Sequence, residues 1–333
     1  MKLNRPRQQR IVALTVVTFV LLAVLLIALD WNEARQLINK ADWRLALAAL
    51  LFTALSYSCL SSSFVMVNRV FGISAVWREL LQIGFVSTVL ANVTGLAGVA
   101  GHSLRLVVMQ RQGMPSANIL AASVFHTYLY GVTMLGLLPL GLIYLIANHQ
   151  LTEGVATGLR FATVMLLLAI ILATVIVFSG SIRLVVLRIL NRLWHLLRHT
   201  NSIAFLSDLD ATVALGAARI RSRQLVLAPP LGLMLANWAF TVASLWFCFD
   251  AIGNQLAFGV LLTGLVIGMA AGNLSMVPGG LGVQEASMSG MYALFGVSFT
   301  QAVLASILFR VVSDFVPFLI SLAMYRRLLR RQT

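Results

Sequence analysis

Four ionisable residues stand deep inside long apolar stretches of this sequence: Arg105, Glu285, Arg310 and Asp314. His102 and His126 are weaker members of the same set. A charge within hydrocarbon is costly, so such a residue faces a partner, water or a ligand and is a functional candidate by default. Arg310 and Asp314 are four apart and share a helix face, where they can pair. Two readings of the pair stand side by side: a structural ion pair that pins a helix bundle, or an Arg310 that binds an anion. His126 reads first as a hydrogen-bonded structural residue, since polar side chains bridge membrane helices.

The stretch VPGGLGVQEAS at 277–287 is the most informative. Pro278 ends one helix, and Gly279, Gly280 and Gly282 allow a sharp turn with bare backbone N–H groups. A half-helix then starts near Val283 with Glu285 in its first turn. Such an N-terminus carries a partial positive charge suited to a phosphate. Glycines also serve close helix packing, and Glu285 can cap its own helix and pair with an arginine as readily as couple to substrate or a proton. The same device recurs earlier, where Gly98 and Gly101 precede His102 and Arg105. Signatures for enzymatic chemistry are absent from the sequence: no HExxH, GxSxG, CxxC or Walker loop, and no acidic pair at metal-binding spacing. No catalytic residue, metal or cofactor is therefore expected.

The elements that carry these residues are membrane helices. Of 333 residues, 60% are hydrophobic and only 10% charged, against about 25% charged in soluble domains. Mean hydropathy is +0.93. The long unbroken apolar runs point to an all-α polytopic integral membrane protein, one transmembrane domain over 1–333, rather than the short alternating strands of a barrel. Cys59 and Cys248 both lie in apolar runs and make neither a disulfide framework nor a zinc site. The net charge of +14 belongs to loops between spans and not to a nucleic-acid surface.

Arginine counting sets the topology. Lys2, Arg5, Arg7 and Arg10 precede an apolar run, Ile11–Leu29, which Asp30 and Trp31 follow in place of a cleavage site. We read an uncleaved first span. Further spans fall near Leu45–Val67, Ile119–Ala147, Phe161–Phe178, Leu225–Phe249 and Ala302–Tyr325. Seven arginines in 181–223 and four in 326–331 mark cytoplasmic segments, whereas Asn148–Gly154 has Glu153 and no Lys or Arg. These placements agree only if Leu80–Gly113 enters and returns on the cytoplasmic side. By the same count Leu256–Val277 and Val283–Phe295 enter and return from the outside. The expectation is six full spans plus two re-entrant broken-helix hairpins. Within 181–223, Arg183, Arg188, Arg192, His195 and His199 form one polar face of an interfacial helix, or, on a sharper reading, a regulatory lipid site.

An internal repeat supports the hairpins. ANVTGLAGVAG (91–101) aligns with GNLSMVPGGLG (272–282), and ILAASVF (119–125) aligns with VLASILF (303–309). Two repeats, 79–147 and 255–325, approached from opposite faces, form an inverted repeat, an architecture of many secondary transporters.

The chain resembles the flippase-like transmembrane region of the lysylphosphatidylglycerol synthetase family and its stand-alone YbhN-like members. VPGGLGVQEA at 277–286 matches the family's Pro-Gly-Gly-x-Gly-x-x-Glu-Ala signature. GHSLRLVVMQRQGM (101–114) is similar to its Gly-x-x-x-Arg segment, and SILFRVVSDF (306–315) to its last long span with an arginine. The family often has Glu where this chain has His102, and an acidic or basic residue where it has His126. The resemblance implies a lipid-handling membrane domain. It implies no synthase activity, because a separate cytosolic domain performs synthesis and this chain ends at Thr333.

The expected function is translocation of a lipid with an anionic headgroup, a phospholipid or polyprenyl-phosphate derivative, between leaflets of a bacterial or archaeal cytoplasmic membrane. Its binding residues would be Arg105, Arg310, Glu285, Asp314, His102, Gly279, Gly280 and Gly282. Alternatives are an intramembrane enzyme on lipid-linked substrates, or a regulatory or assembly subunit docking through 181–223. A membrane lipid is the expected partner, nucleic acid is not, and self-association into a homo-oligomer is left open.

Orientation is testable by single-cysteine labelling. Thr152→Cys should react with an impermeant reagent from outside, and Thr200→Cys only after the membrane is opened. The reverse pattern refutes the orientation.

Overall fold

The structure is a computed structural model. It describes all residues except 1–26, 28, 95–98, 149–152, 183, 187, 190–191, 193–209, 212, 215, 219–223, 276 and 331–333. The described residues are helical and turn, with no strand among them. The expected first span and most of the arginine-rich interfacial helix lie outside the described residues.

Two four-part units follow one another. The first comprises α2 (Trp43–Val70), α3 (Trp77–Thr94), α4 (Val99–Arg111) and α5 (Ser116–Asn148), preceded by a short α1 (Trp31–Lys40). The long α6 (Glu153–Phe178) comes next. The second comprises α7 (Ala228–Ala251), α8 (Phe258–Leu274), α9 (Val283–Leu294) and a last long helix. That helix runs as α10 (Phe299–Arg310), one π-helical turn (Val311–Phe315) and α11 (Val316–Arg330). Long, medium, short and long again is the order in both units. In each unit the leading long helix, α2 or α7, lies ahead of the segment expected to repeat.

The same local chemistry ends four of these helices. Gly72, Gly113, Gly253 and Gly296 all have positive φ, and each follows a helix as its left-handed terminator. In each case the next residue's N–H reaches back to close the turn: Ile73 to Asn68, Met114 to Met109, Asn254 to Phe249 and Val297 to Tyr292. Polar caps start others. Asp42 accepts from Arg44 N–H at 2.9 Å and Ser298 from Gln301 N–H at 3.1 Å.

α2 and α7 are the most closely packed pair, and they run antiparallel. Thr53 bonds Ser244 at 2.9 Å, Ser56 donates to Asn237 at 2.8 Å, and Ser63 donates to the Pro230 carbonyl at 3.1 Å. Small hydroxyl side chains allow this approach and supply the interhelical bonds that lipid cannot. At one end of the pair, Asp42 N–H donates to the Ala251 carbonyl at 2.8 Å.

Each medium helix packs on the other unit's long helix: α8 on α5, and α3 on α11. Thr263 donates to the Gly141 carbonyl at 2.9 Å, fixing the α8–α5 contact. Both arms of the α3–α4 hairpin end in one loop cluster, where 72–76 and 112–115 line a common cavity. Both arms of the α8–α9 hairpin end at the other side, where Asn254 donates to Gln301 and Gln301 donates to the Ile252 carbonyl. Two hydrophobic cores correspond to these ends. One gathers Phe64, Leu80, Met109 and Phe125, and the other Phe249, Leu261, Met288 and Tyr292.

By length and composition, four described helices can cross a membrane: Trp43–Val70, Ser116–Ala147, Leu225–Ala251 and Phe299–Arg327. A fifth follows if Thr163–Phe178 is joined to Gly180–Val186, from which it is bent by 93°. α8 is apolar but shorter, at 17 residues.

One close approach makes a stability test. A Cβ at Gly264 would sit 2.3 Å from the Tyr292 ring, whose hydroxyl donates to the Leu261 carbonyl at 3.0 Å. Gly264→Val should therefore cost about 1–3 kcal/mol or more by overpacking. Detergent thermal melts check this, and an unchanged midpoint would show that α8 and α9 repack freely.

Candidate functional site

The tips of the two hairpins meet. In the second hairpin, Pro278 follows α8 and cannot continue it. Gly279 and Gly280 both have φ of 63° and Gly282 has φ of 80°. A side chain at these angles is strained. Space is short as well: a Cβ at Gly279 would lie 3.2 Å from the Val93 carbonyl oxygen at the end of α3, and one at Gly280 would lie 2.9 Å from the Gly272 Cα. The glycines thus let one broken helix close against the other.

Glu285 then folds back over the start of α9. Its Oε2 accepts from Gly282 N–H at 2.7 Å, and its Oε1 accepts from Arg310 Nε at 2.5 Å. The carboxylate occupies the helix-start donor that the sequence offered to a phosphate. Arg310 also donates through Nη1 to Asp314 at 2.7 Å. One partly buried guanidinium is thus held between two carboxylates, one from each side of the hairpin–helix junction.

The backbone beside this triad has a local cause. Pro317 has no N–H, so the Ser313 carbonyl lacks its helical partner. Tyr57 supplies one, donating its hydroxyl to that carbonyl at 3.0 Å. The Val316 N–H instead reaches the Val311 carbonyl, which is the widened π turn. Asn92, at the end of α3, donates to the Tyr57 hydroxyl at 3.2 Å. The first hairpin is thereby tied to the Arg310 turn through Tyr57.

Arg105 sits elsewhere. It is 4% exposed, so it is not a surface anchor. Its Nε donates to Ser87 at 2.7 Å, and its guanidinium lies 4.4 Å over the Phe64 ring. His126 meets the same ring edge-on at 5.4 Å. His102 is bonded to Thr127 at 3.3 Å. Gly101 is required where α4 crosses α3, since a Cβ there would fall 2.4 Å from the Ser87 carbonyl oxygen.

The predicted residues therefore form two groups. Glu285, Arg310, Asp314 and the glycine turn make one, and Arg105 with His102 makes the other. No hydrogen bond or ion pair joins Arg105 to Glu285 or Arg310. The groups are linked through α3, where Ser87 and Asn92 stand about 7–8 Å apart along the axis. Sequence reasoning passed over Tyr57, Phe64, Ser87, Asn92 and Ser123. Only Pro317 near Arg310 signalled a partner for a freed carbonyl.

A cavity of about 840 Å³ opens at the loop end, lined by Ile73, Glu79, Arg111 and Gln112 among others. It touches none of the buried charges. Among the described residues, no three His, Cys, Asp or Glu side chains are grouped to hold a metal.

The triad makes a stability prediction. Arg310→Ala leaves two carboxylates uncompensated and should cost up to about 3–5 kcal/mol. Combining Arg310→Met with Glu285→Gln and Asp314→Asn removes all three charges and should recover most of that loss. Thermal melts of both variants test it; equal midpoints for Arg310→Ala and the unaltered protein would deny the triad a structural role.

The profile of the lysylphosphatidylglycerol synthase TM region matches residues 10–321. A UPF0104 membrane protein of Pyrococcus horikoshii is 20% identical over 310 residues, covering 89% of this chain and 92% of the relative. A UPF0104 membrane protein of Methanothermobacter thermautotrophicus is 21% identical over 313 residues, 90% of each chain. Another from the same organism is 32% identical over a shorter stretch of 88 residues, 26% of this chain and 25% of the relative. With its profile match running from before α1 into α11, and its glycine turn and paired arginine inside that match, the chain belongs to the family of the lysylphosphatidylglycerol synthase TM region.

Proposed function

We propose that the protein carries a lipid with an anionic headgroup, a phospholipid or a polyprenyl-phosphate derivative, between the two leaflets of a cytoplasmic membrane. It acts as a carrier and not as an enzyme on that lipid. The observation that carries this reading is the meeting of the two hairpin tips, Gly279 against Asn92 and Val93, beside buried charged side chains. Broken backbone and charge at that depth cannot face lipid tails. They are the parts from which transporters of the inverted-repeat kind build a central site.

The two units form such an inverted repeat, with six spans and two hairpins that enter from opposite faces. The antiparallel α2–α7 pair and the reciprocal α3–α11 and α8–α5 contacts support this. Both termini and 181–223 face the cytoplasm. Arg105, His102, Arg310, Glu285, Asp314 and the glycine turn line the path of the headgroup. The lipid's tails stay in hydrocarbon while its headgroup passes the junction of the hairpins.

Purified protein in vesicles that contain tail-labelled phosphatidylglycerol, or in a parallel set tail-labelled phosphatidate, tests the reading. Protein should speed movement of the label between leaflets above the rate of empty vesicles. Gly279→Val should abolish that acceleration, because a side chain at φ 63° presses on the Val93 carbonyl. Gly290→Ala, where a Cβ meets open space, should leave it unchanged. Equal loss in both variants, or no acceleration by the unaltered protein, overturns the reading.

A further inference from the structure

The two buried arginines are not equivalent. Arg310 is met by Glu285 and Asp314. Arg105 is met by a hydroxyl and an aromatic face, and among the described residues no carboxylate pairs with it. A guanidinium is always charged in proteins, so Arg105 carries an uncompensated positive charge in the first core. Its Nη1 is buried without a partner. Three further polar atoms of the same neighbourhood are also buried and open: His102 Nδ1, His126 Nε2 and Ser123 Oγ. His126 and Ser123 are 3% and 2% exposed.

Shared neighbours gather these atoms. Arg105 and His126 both pack on Phe64. Ser123, His126 and Thr127 lie three and four apart on one face of α5, and Thr127 reaches His102. The guanidinium can only donate, and His102 and the Ser123 hydroxyl can donate by choice of tautomer or rotation, while His126, whose other ring nitrogen donates to the Leu60 carbonyl, offers Nε2 as an acceptor. The common complement of such a set, beside an unpaired cation, is an oxyanion.

We propose that this group recognises a terminal phosphate, the phosphomonoester end of a lipid. Arg105, His126 and Ser123 are enclosed, and the site reaches the surface at the His102–Thr127 contact between α4 and α5. A terminal phosphate offers oxyanions to Arg105 and a P–OH proton to His126 Nε2. A phosphodiester headgroup carries a second substituent in place of that proton. The opening lies among exposed apolar side chains, with Val124 and Val107 on the same two helices. That surround fits a lipid tail attached to the phosphate. The Arg310 guanidinium, whose Nη2 is open as well, already has two carboxylates for its charge and serves to hold the hairpin junction. The proposal rests on the lipid-carrier reading for the source of the phosphate, but binding requires no translocation.

Native mass spectrometry of the full chain in detergent tests it, with dioleoylphosphatidate, dioleoylphosphatidylglycerol, dioleoylphosphatidylcholine and inorganic phosphate as probes. Phosphatidate should be retained in preference to both diester lipids. Arg105→Gln should weaken its retention by about tenfold or more, the scale of a lost charged hydrogen bond. Ser123→Ala, a small change at a buried site, should weaken it severalfold with an unchanged melting midpoint. Millimolar inorganic phosphate should not displace the lipid. Unchanged phosphatidate retention in Ser123→Ala and in a folded Arg105→Gln overturns the site. Equal retention of phosphatidylglycerol overturns the terminal-phosphate assignment, and displacement by inorganic phosphate overturns the lipid source. Arg105-dependent retention without any transbilayer movement would sink the carrier reading while leaving this site intact.

Discussion

A guanidinium inside an apolar helix bundle has to be met by fixed groups, and the way Arg310 is met organises the second half of the molecule. One carboxylate comes from four residues along the same helix. The other comes from Glu285, which is also the cap of the helix that restarts after the glycine turn. The turn can be tight because its glycines accept positive φ. The cap can reach because the turn is tight. The π turn that follows Arg310 stands because Tyr57 takes over the carbonyl freed by Pro317. Removing any one of these parts leaves a buried polar group without its partner, which in hydrocarbon costs several kcal/mol.

How much of this was legible in the sequence depended on the range of the interaction. The broken helix at Pro278–Gly282 could be read because proline and glycine act locally, whatever surrounds them. The helix-start role of Glu285 and the i,i+4 pairing of Arg310 with Asp314 could be read for the same reason. The Glu285–Arg310 contact spans 25 residues. It was foreseen only as one of two readings, since nothing local distinguishes a cap that also binds arginine from one that binds ligand. Tyr57 and Ser87 were invisible. Their roles depend on which helices become neighbours, and hydroxyls in apolar runs look alike before packing is known. Arginine asymmetry speaks to which side a loop takes and is silent on which helices become neighbours, so the pairing of α2 with α7 through Thr53, Ser56 and Ser244 could not be read from it.

The two units share a backbone plan and differ in charge. Both have a long helix, a broken hairpin closed by left-handed glycines, and a second long helix. The matching hairpin tips touch, so a displacement of one is felt at the other through Asn92 and Tyr57. Yet the second unit groups two carboxylates with one guanidinium, and the first groups a guanidinium with two imidazoles. At position 102 the chain carries a histidine, which brings Arg105 no negative charge such as Glu285 brings Arg310.

The consequence is a field across the junction. With ionised carboxylates, the group around Arg310 sums to minus one and the Arg105 side to plus one. An anionic group drawn into the bundle is attracted to the first unit and repelled by the second. The opposition is strongest where water is excluded, because the effective dielectric is low there. A neutral pair of equal sites would have no preferred occupant and no gradient between them. The unequal pair has both: a positive centre at Arg105 that no carboxylate among the described residues meets, and at Arg310 a guanidinium that two carboxylates outweigh and that ties the restarted helix to the last one.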